Sequence, residues 1–325
     1  MARAAPEPAV RWAEMPDLPR LVAFWHRQFG PDSVQAVPGR AEWLFAAQPA
    51  GLWTAIAEVA DEIVAACGHV VQTVDLPGYG SCEAAFGVDF IVAPEHRRRG
   101  LGGRLLDLRL ERFPLSLSTG QSGPMAALYR ERGAVDLGAF QLARYRRRPG
   151  RGGGPKDVVR DLATVLHGLR GRRVRGRRLG LDPDEAAALA ARIPGADAAR
   201  LRWRFAGPVY RDYRIAGLEC PHGQALLCTR RQADREIVVD LIGDGPRREA
   251  LAAAAATTDL AGLDVLCCGN DLGRDLHASG YLVRPYGAHL IGMSRDAKIA
   301  NELRTGALDV FAASADADLI RRPIA

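Results

Sequence analysis

At 325 residues, 48% of them apolar, the chain is long and apolar enough for two domains of ordinary size, each with its own core. The net charge of +6 arises in a composition where lysine occurs only at Lys156 and Lys298, so the arginine excess reads as a genome-level preference and calls for no nucleic-acid partner. No run reaches the ~18 apolar residues of a membrane span, and residues 1–6 lack the apolar centre of a signal peptide. The cysteines (67, 82, 220, 228, 267, 268) have no C-x-x-C spacing, so zinc and redox motifs are unsupported and the chain reads as a cytoplasmic protein with reduced thiols and no metal.

Taken in order, residues 9–14 predict a short strand. Leu18, Leu21, Val22, Trp25 and Phe29 then lie on one face of a helix that Gly30 stops. A second helix is expected over 40–47, where Trp43 and Phe45 either shape substrate access or are simply core. Two strands, 52–59 and 63–74, are joined by a tight turn at Asp61-Glu62; the second alternates poorly and reads as buried on both faces. Pro77-Gly78-Tyr79-Gly80 is a loop, and Cys82 to Val92 is the next strand. The helix from Leu101 to Phe113 has leucines at 101, 105, 106, 108 and 110, a face broad enough to pack on a sheet. Leu115–Ser118 follows as a strand, and Phe140–Tyr145 as a strand closing the domain.

Between the strand at 82–92 and the helix at 101 stand Arg97-Arg98-Arg99-Gly100-Leu101-Gly102-Gly103-Arg104. Glycines let a ligand approach the backbone closely, the first N–H groups of a helix have no intrahelical partner, and the helix dipole favours an anion there. The stretch is therefore a phosphate cradle with arginines around it. It lacks the Lys-Ser/Thr of a P-loop and the third glycine of a dinucleotide fingerprint. What it matches is Arg97-x-x-Gly100-x-Gly102 after Val92-x-Pro94. Downstream, Ser122-Gly-Pro-Met-Ala-Ala-Leu128-Tyr129-x-x-x-Gly133 follows at a plausible spacing. The two motifs together resemble the GNAT superfamily of acetyl-CoA-dependent N-acetyltransferases over roughly residues 9–148. Ala134 stands where that family has an aromatic residue, and Ser122 where it often has asparagine.

Residues 146–155 (Arg-Arg-Arg-Pro-Gly-Arg-Gly-Gly-Gly-Pro) have linker composition. The expected organisation is a GNAT-like domain over 1–148, a linker over 149–158 and a degenerate GNAT-like domain over 159–325. Each domain is expected as a mixed β-sheet flanked by helices, an α/β (α+β) class. Beyond the linker a helix near 156–169 leads to a basic run at 170–178, either a solvated turn or a site for an acidic partner, nucleic acid or the 3′-phosphate of CoA. Then come a helix at 184–193, strands at 213–219, 223–230 and 236–242, a helix at 246–257, a strand at 263–268, a helix at 272–279 and a strand at 281–293. Gly243-Asp244-Gly245 falls where the cradle was, and Leu276 where Tyr129 was. No arginine leads that turn, and Asp240 and Asp244 would repel a pyrophosphate, so this half reads as structural or as an aid to acceptor recognition. Asp316 and Asp318 in the tail lack a third ligand for a metal and read as capping or loop residues.

The resemblance implies roles. The strand edge Phe90, Ile91, Val92 would pair with the pantetheine arm, with a backbone N–H near Val92 on the thioester carbonyl. Arg97, Arg98, Arg99, Gly100, Leu101, Gly102, Gly103 and Arg104 would hold the pyrophosphate. Tyr129 would protonate the departing thiolate, or else is a core tyrosine. Asp89 and Glu83, six positions apart and so on one side of a regular strand, are candidate bases, with Glu58 a third. His69 and His96 read as structural, His96 packing on the arginine turn. The function implied is transfer of an acetyl or short acyl group from acetyl-CoA to a primary amine of a small metabolite or amino sugar. The rivals are a protein or peptide N-acetyltransferase and an acyl-CoA-binding sensor or assembly protein without turnover.

Overall fold

The computed structural model describes residues 7–119, 122–147, 162, 164–168, 174, 176–206, 213–306 and 308–311. The linker expected at 149–158, residues 170–173 and 175 of the basic run, and Asp316 and Asp318 lie outside them. Two compact units divide the chain: Met1–Leu137 with Leu290–Thr305, and Gly138–His289 with Gly306–Ala325.

The first unit opens with β1 (Ala9–Trp12), α1 (Leu18–Phe29) and a π-helical turn at Glu42–Ala46 where the second helix was expected. That turn buries Trp43, Leu44 and Phe45. Phe45 lies 4.9 Å from Trp25, ring centre to ring centre, and fills the space a Cβ on Gly68 would need. Strands β2 (Thr54–Val59), β3 (Glu62–Leu76) and β4 (Gly80–Val92) form an antiparallel meander. The β2–β3 turn is Ala60–Asp61, both with positive φ, one residue before the expected position. Helix α2 (Leu101–Arg112) packs Leu101 and Leu105 on Ala55, Ala57, Val64 and Ala65. Truncating such a leucine to alanine costs about 2–5 kcal/mol. Next are β5 (Leu115–Thr119), α3 (Gly123–Glu131) and β6 (Val135–Arg146).

Two features of β4 open the sheet. At Asp89 (φ +54°) the register with β3 slips: Gly68 faces Val88, yet Ala66 faces Ile91, so two residues of β4 oppose one of β3. This bulge interrupts the alternation of the strand, so Glu83 and Asp89 do not share a regular strand face. On its other side β4 pairs with β5, in parallel, only over Ala84–Phe86. Both strands continue beyond that point without pairing each other, to Val92 and to Thr119.

The strand closing this unit beyond β5 is not 140–145. Leu290–Met293, the end of β12 (Leu282–Met293), pairs antiparallel with Ser116–Thr119. Helix α8 (Ala297–Thr305) follows in the same unit, with Glu302 accepting from the Gly78 N–H at 3.0 Å. Residues 141–146 of β6 instead belong to the second unit and pair there with β11 (Gly262–Cys268). Local pattern cannot choose between β6 and β12, because each is a 12-residue strand after a short helix.

The second unit runs β7 (Arg177–Leu181), α4 (Pro183–Ala190), α5 (Ala198–Ala206), β8 (Tyr213–Cys220), β9 (Gly223–Gln232), β10 (Arg235–Gly243), α6 (Arg247–Thr257), β11 (Gly262–Cys268), α7 (Asn270–Ala278) and the start of β12. Short β13 (Val310–Phe311) pairs with β11. This repeats the element order of the first unit. Its core joins Leu218, Leu227, Val238, Leu251, Val265, Leu276 and Tyr281. No helix among the described residues is long and apolar enough to cross a membrane.

Candidate active site

After β4 the chain makes a turn of 3-10 helix at Pro94–His96, then reverses through Arg98 (φ +61°) and Gly100 (φ +76°) into α2. Gly100 takes that conformation without the steric cost a Cβ would bring. The first α2 bond runs from the Arg104 N–H to the Gly100 carbonyl at 3.1 Å. The N–H groups of Leu101, Gly102 and Gly103 precede that ladder and are the ones an anion would meet.

This turn borders a cleft of about 730 Å³. Phe90, Ile91 and Val92 supply one wall; Arg97, Arg98, Gly100, Leu101, Gly102 and Gly103 supply the floor. The opposite wall is the start of α3: Ser122, Pro124, Met125 and Leu128. The N-terminal ends of two helices thus face one space. A Cβ on Gly102 would sit 3.5 Å from Leu128 and 3.8 Å from Phe90, so any larger side chain there occupies the cleft. Arg97 Nε donates to the Val92 carbonyl at 3.0 Å and ties the turn to the strand end. Arg99 and Arg104 are exposed and outside the lining, Arg104 lying 3.6 Å from Glu7.

The acid and base candidates sit elsewhere. Tyr129 is buried with Leu106, Leu110 and Met293, and does not line the cleft. Its hydroxyl donates to Ser118 Oγ at 3.2 Å and accepts from Arg109 Nη2 at 3.3 Å. Asp89 is equally buried, 2.5 Å from the Arg40 guanidinium and 2.8 Å from Gln35 Nε2. Glu83 lies roughly 20 Å along the strand from Asp89 and pairs with Arg112 at 2.8 Å. Glu58 is held by Arg11 and Arg20. Each of these carboxylates is paired with at least one guanidinium.

Residues 12–119 match the model of the acetyltransferase (GNAT) family. The chain carries a GNAT acetyltransferase domain. The solved structures it resembles agree in fold. A probable N-acyltransferase from Enterococcus faecalis superposes with a TM-score of 0.59 at 13% identity, over 89% of this chain and 73% of that one. A GCN5-related N-acetyltransferase from Kribbella flavida gives 0.57 at 18%, over 90% and 73%. Eis1 from Mycobacterium abscessus gives 0.54 at 16%, over 89% and 74%. No curated protein sequence matches the chain. The protein is an acyltransferase.

Within the GNAT domain, sequence reading missed three parts of the site. Ser122, Pro124 and Met125 line the cleft because α3 starts there, a matter of packing. His96, expected to pack on the arginine turn, lines the cleft, and its Nδ1 has no hydrogen-bond partner among the described residues. Arg109 is fully buried on α2. It had a signal in sequence, since it follows Leu101 and Leu105 at four-residue steps and so puts a charge on the apolar face. His69 is buried between the Trp53 carbonyl (3.1 Å) and Cys67 Sγ (3.5 Å). Burial, then the Arg109 charge, pushes it well below the usual histidine range. Of the basic run, Arg178 makes two 2.7 Å contacts with the buried carboxylate of Glu236 and so serves the fold.

Proposed function

We propose that the protein transfers an acetyl or short acyl group from acetyl-CoA to a primary amine of a small metabolite or amino sugar. The observation that carries this reading is the cleft itself, with a β4 edge released from β5 on one side and two helix N-termini on the other. The residues fit an acyl-CoA. The N–H groups at 101–103, with Arg97 and Arg98 beside them, suit a pyrophosphate. The apolar wall of Phe90, Ile91, Met125 and Leu128 suits the pantetheine arm. The strand edge at Phe90–Val92 offers backbone groups for the arm and for a thioester carbonyl that gains charge during transfer. Tyr129 is the proposed proton donor to sulfur; it packs against Met125 and Leu128, which line the cleft. Because Asp89, Glu83 and Glu58 are held in ion pairs, the amine proton is proposed to leave to water.

Calorimetric titration of acetyl-CoA, followed by mass spectrometry of a panel of small amines, amino sugars and free peptide N-termini, tests this. One acetyl-CoA per chain and N-acetylated small amines are expected. Acetylation confined to the peptides would move the reading to a polypeptide acceptor, and binding without any turnover would leave a sensor.

A further inference from the structure

Arg109 is a fully buried charged group of the GNAT domain that the proposed chemistry leaves unused. Its side chain has no measurable exposure, and among the described residues no carboxylate pairs with it. Nη2 reaches the Tyr129 hydroxyl, and the guanidinium carbon lies 5.6 Å from the centre of the Tyr129 ring. Nε and Nη1 have no hydrogen-bond partner among the described residues. The titratable neighbours do not offset the charge. Cys67 is a thiol pushed up to about 11 by burial, and His69 is neutral. Asp89, a buried carboxylate of the same domain, is bound to Arg40. A buried cation without a counter-ion is expensive, and folds that only need bulk there use apolar residues.

Its location gives it a use. The space a Cβ on Gly87 would need is taken by Arg109 Nη1. Gly87 is the first β4 residue past the point where pairing with β5 stops, and Ser118, the partner of Tyr129, is the first β5 residue past it. The cation therefore sits where the strands part, against the one hydroxyl proposed to lose a proton. We infer that Arg109 is a positioning residue for acyl transfer, orienting the Tyr129 hydroxyl and stabilising the tyrosinate that exists only during turnover. This rests on Tyr129 being the proton donor. In the step, the nitrogen of the acceptor amine forms the new C–N bond and the C–S bond breaks. The sulfur takes the phenolic proton of Tyr129, and the tyrosinate regains a proton from solvent while the amine loses one to it. A fixed charge that waits for an anion needs no reorganisation when the anion appears.

The experiment compares Arg109→Met, Arg109→Lys, Gly87→Ala, Tyr129→Phe and the Arg109→Met/Tyr129→Phe double variant in the full chain. Thermal stability is measured with the release of free CoA thiol from acetyl-CoA, using water and then glucosamine as acceptor. Arg109→Met is expected to keep or raise Tm, since an unpaired charge is replaced by an apolar chain. Its kcat should fall about 10²-fold, with KM for acetyl-CoA nearly unchanged because Arg109 does not line the cleft. Arg109→Lys should recover part of kcat. Gly87→Ala keeps the charge but displaces the guanidinium, and should lower kcat in the same way; it serves if Arg109→Met fails to fold. The double variant should be no slower than Tyr129→Phe alone. If Tyr129→Phe is slow but the double variant is slower by the full product of the single effects, the inference fails while the tyrosine reading stands. If Tyr129→Phe turns over normally, both fall. A loss of Tm in Arg109→Met that accounts for the lost activity would make Arg109 structural and overturn the inference.

Discussion

The turn that enters α2 and the turn that enters α6 occupy the same place in two units of the same element order, yet they do opposite things. At Gly100 no atom beyond the chain neighbours lies within 4 Å of the Cβ position, and the space past Gly102 is the cleft. At Gly243 and Gly245 the missing side chains are replaced by protein. The β8–β9 hairpin packs there, with Gln224 O 2.9 Å from the Cβ position of Gly243 and His222 O 2.8 Å from that of Gly245. Asp244 seals the contact by accepting from the Gln224 N–H at 2.7 Å. Glycine at one turn leaves room for a ligand; at the other it lets the chain fill its own cradle. Residue type alone does not separate the two uses.

A second pair sharpens the contrast. Both units have a bulge on the strand before the turn, with an aspartate at it, Asp89 in β4 and Asp240 in β10. Asp89 meets Arg40 at 2.5 Å. Asp240 has Arg200 only at 3.9 Å, and burial holds its carboxyl above the usual range against the pull of that arginine.

The largest expected effect comes from these aspartates. Asp89→Asn removes the carboxylate that holds a buried guanidinium and should cost about 3–5 kcal/mol in urea unfolding. Asp240→Asn, at pH 7, should be neutral or stabilising. Its folded value is raised, so the charged form is the disfavoured one in the fold, and the gain over wild type should shrink as pH falls. Equal losses from both substitutions would erase the contrast. Next, Gly102→Val should weaken acetyl-CoA binding about 100-fold, near 2.7 kcal/mol, with Tm little changed. Gly245→Val should leave that binding intact and lower stability by about 1–3 kcal/mol through overpacking against the hairpin. If Gly245→Val abolished acetyl-CoA binding, the second turn would be a site after all. The smallest effect concerns Asp17, which Arg11 holds at about 2 by hydrogen bonding, with burial opposing. Because the folded value is depressed, its contribution, about 1 kcal/mol for so exposed a set of arginine partners, is present above the ordinary carboxylate range. It is lost as pH falls toward 2. The Tm difference between wild type and Asp17→Asn should be constant from pH 7 to 5 and close below pH 4.

Much of the glycine turn after β4 was legible because it is local. Arg97 to Gly103 carries its own conformational demands, and Val92-x-Pro94 ends the strand in place. The leucine spacing of α2, and the apolar face of α1 up to Gly30, were equally plain. Helix α5 was missed for an equally local reason. Leu201, Trp203 and Phe205 alternate with Arg200, Arg202 and Arg204, a period of two, and burial of its apolar side chains made it a helix regardless.

The chain's own pattern thus determined most of the strands and helices, where the glycine turn after β4 lies, and that no arginine leads the second turn. Tertiary structure alone decided three things. Residues 290–293, not 140–145, close the strands of the first unit; the β8–β9 hairpin fills the second turn; and Arg109 meets Tyr129 with no carboxylate partner among the described residues. The reason is range. Periodicity and turn chemistry act over a few residues, whereas strand neighbours, plugged space and the pairing of a buried charge depend on residues tens to hundreds of positions apart.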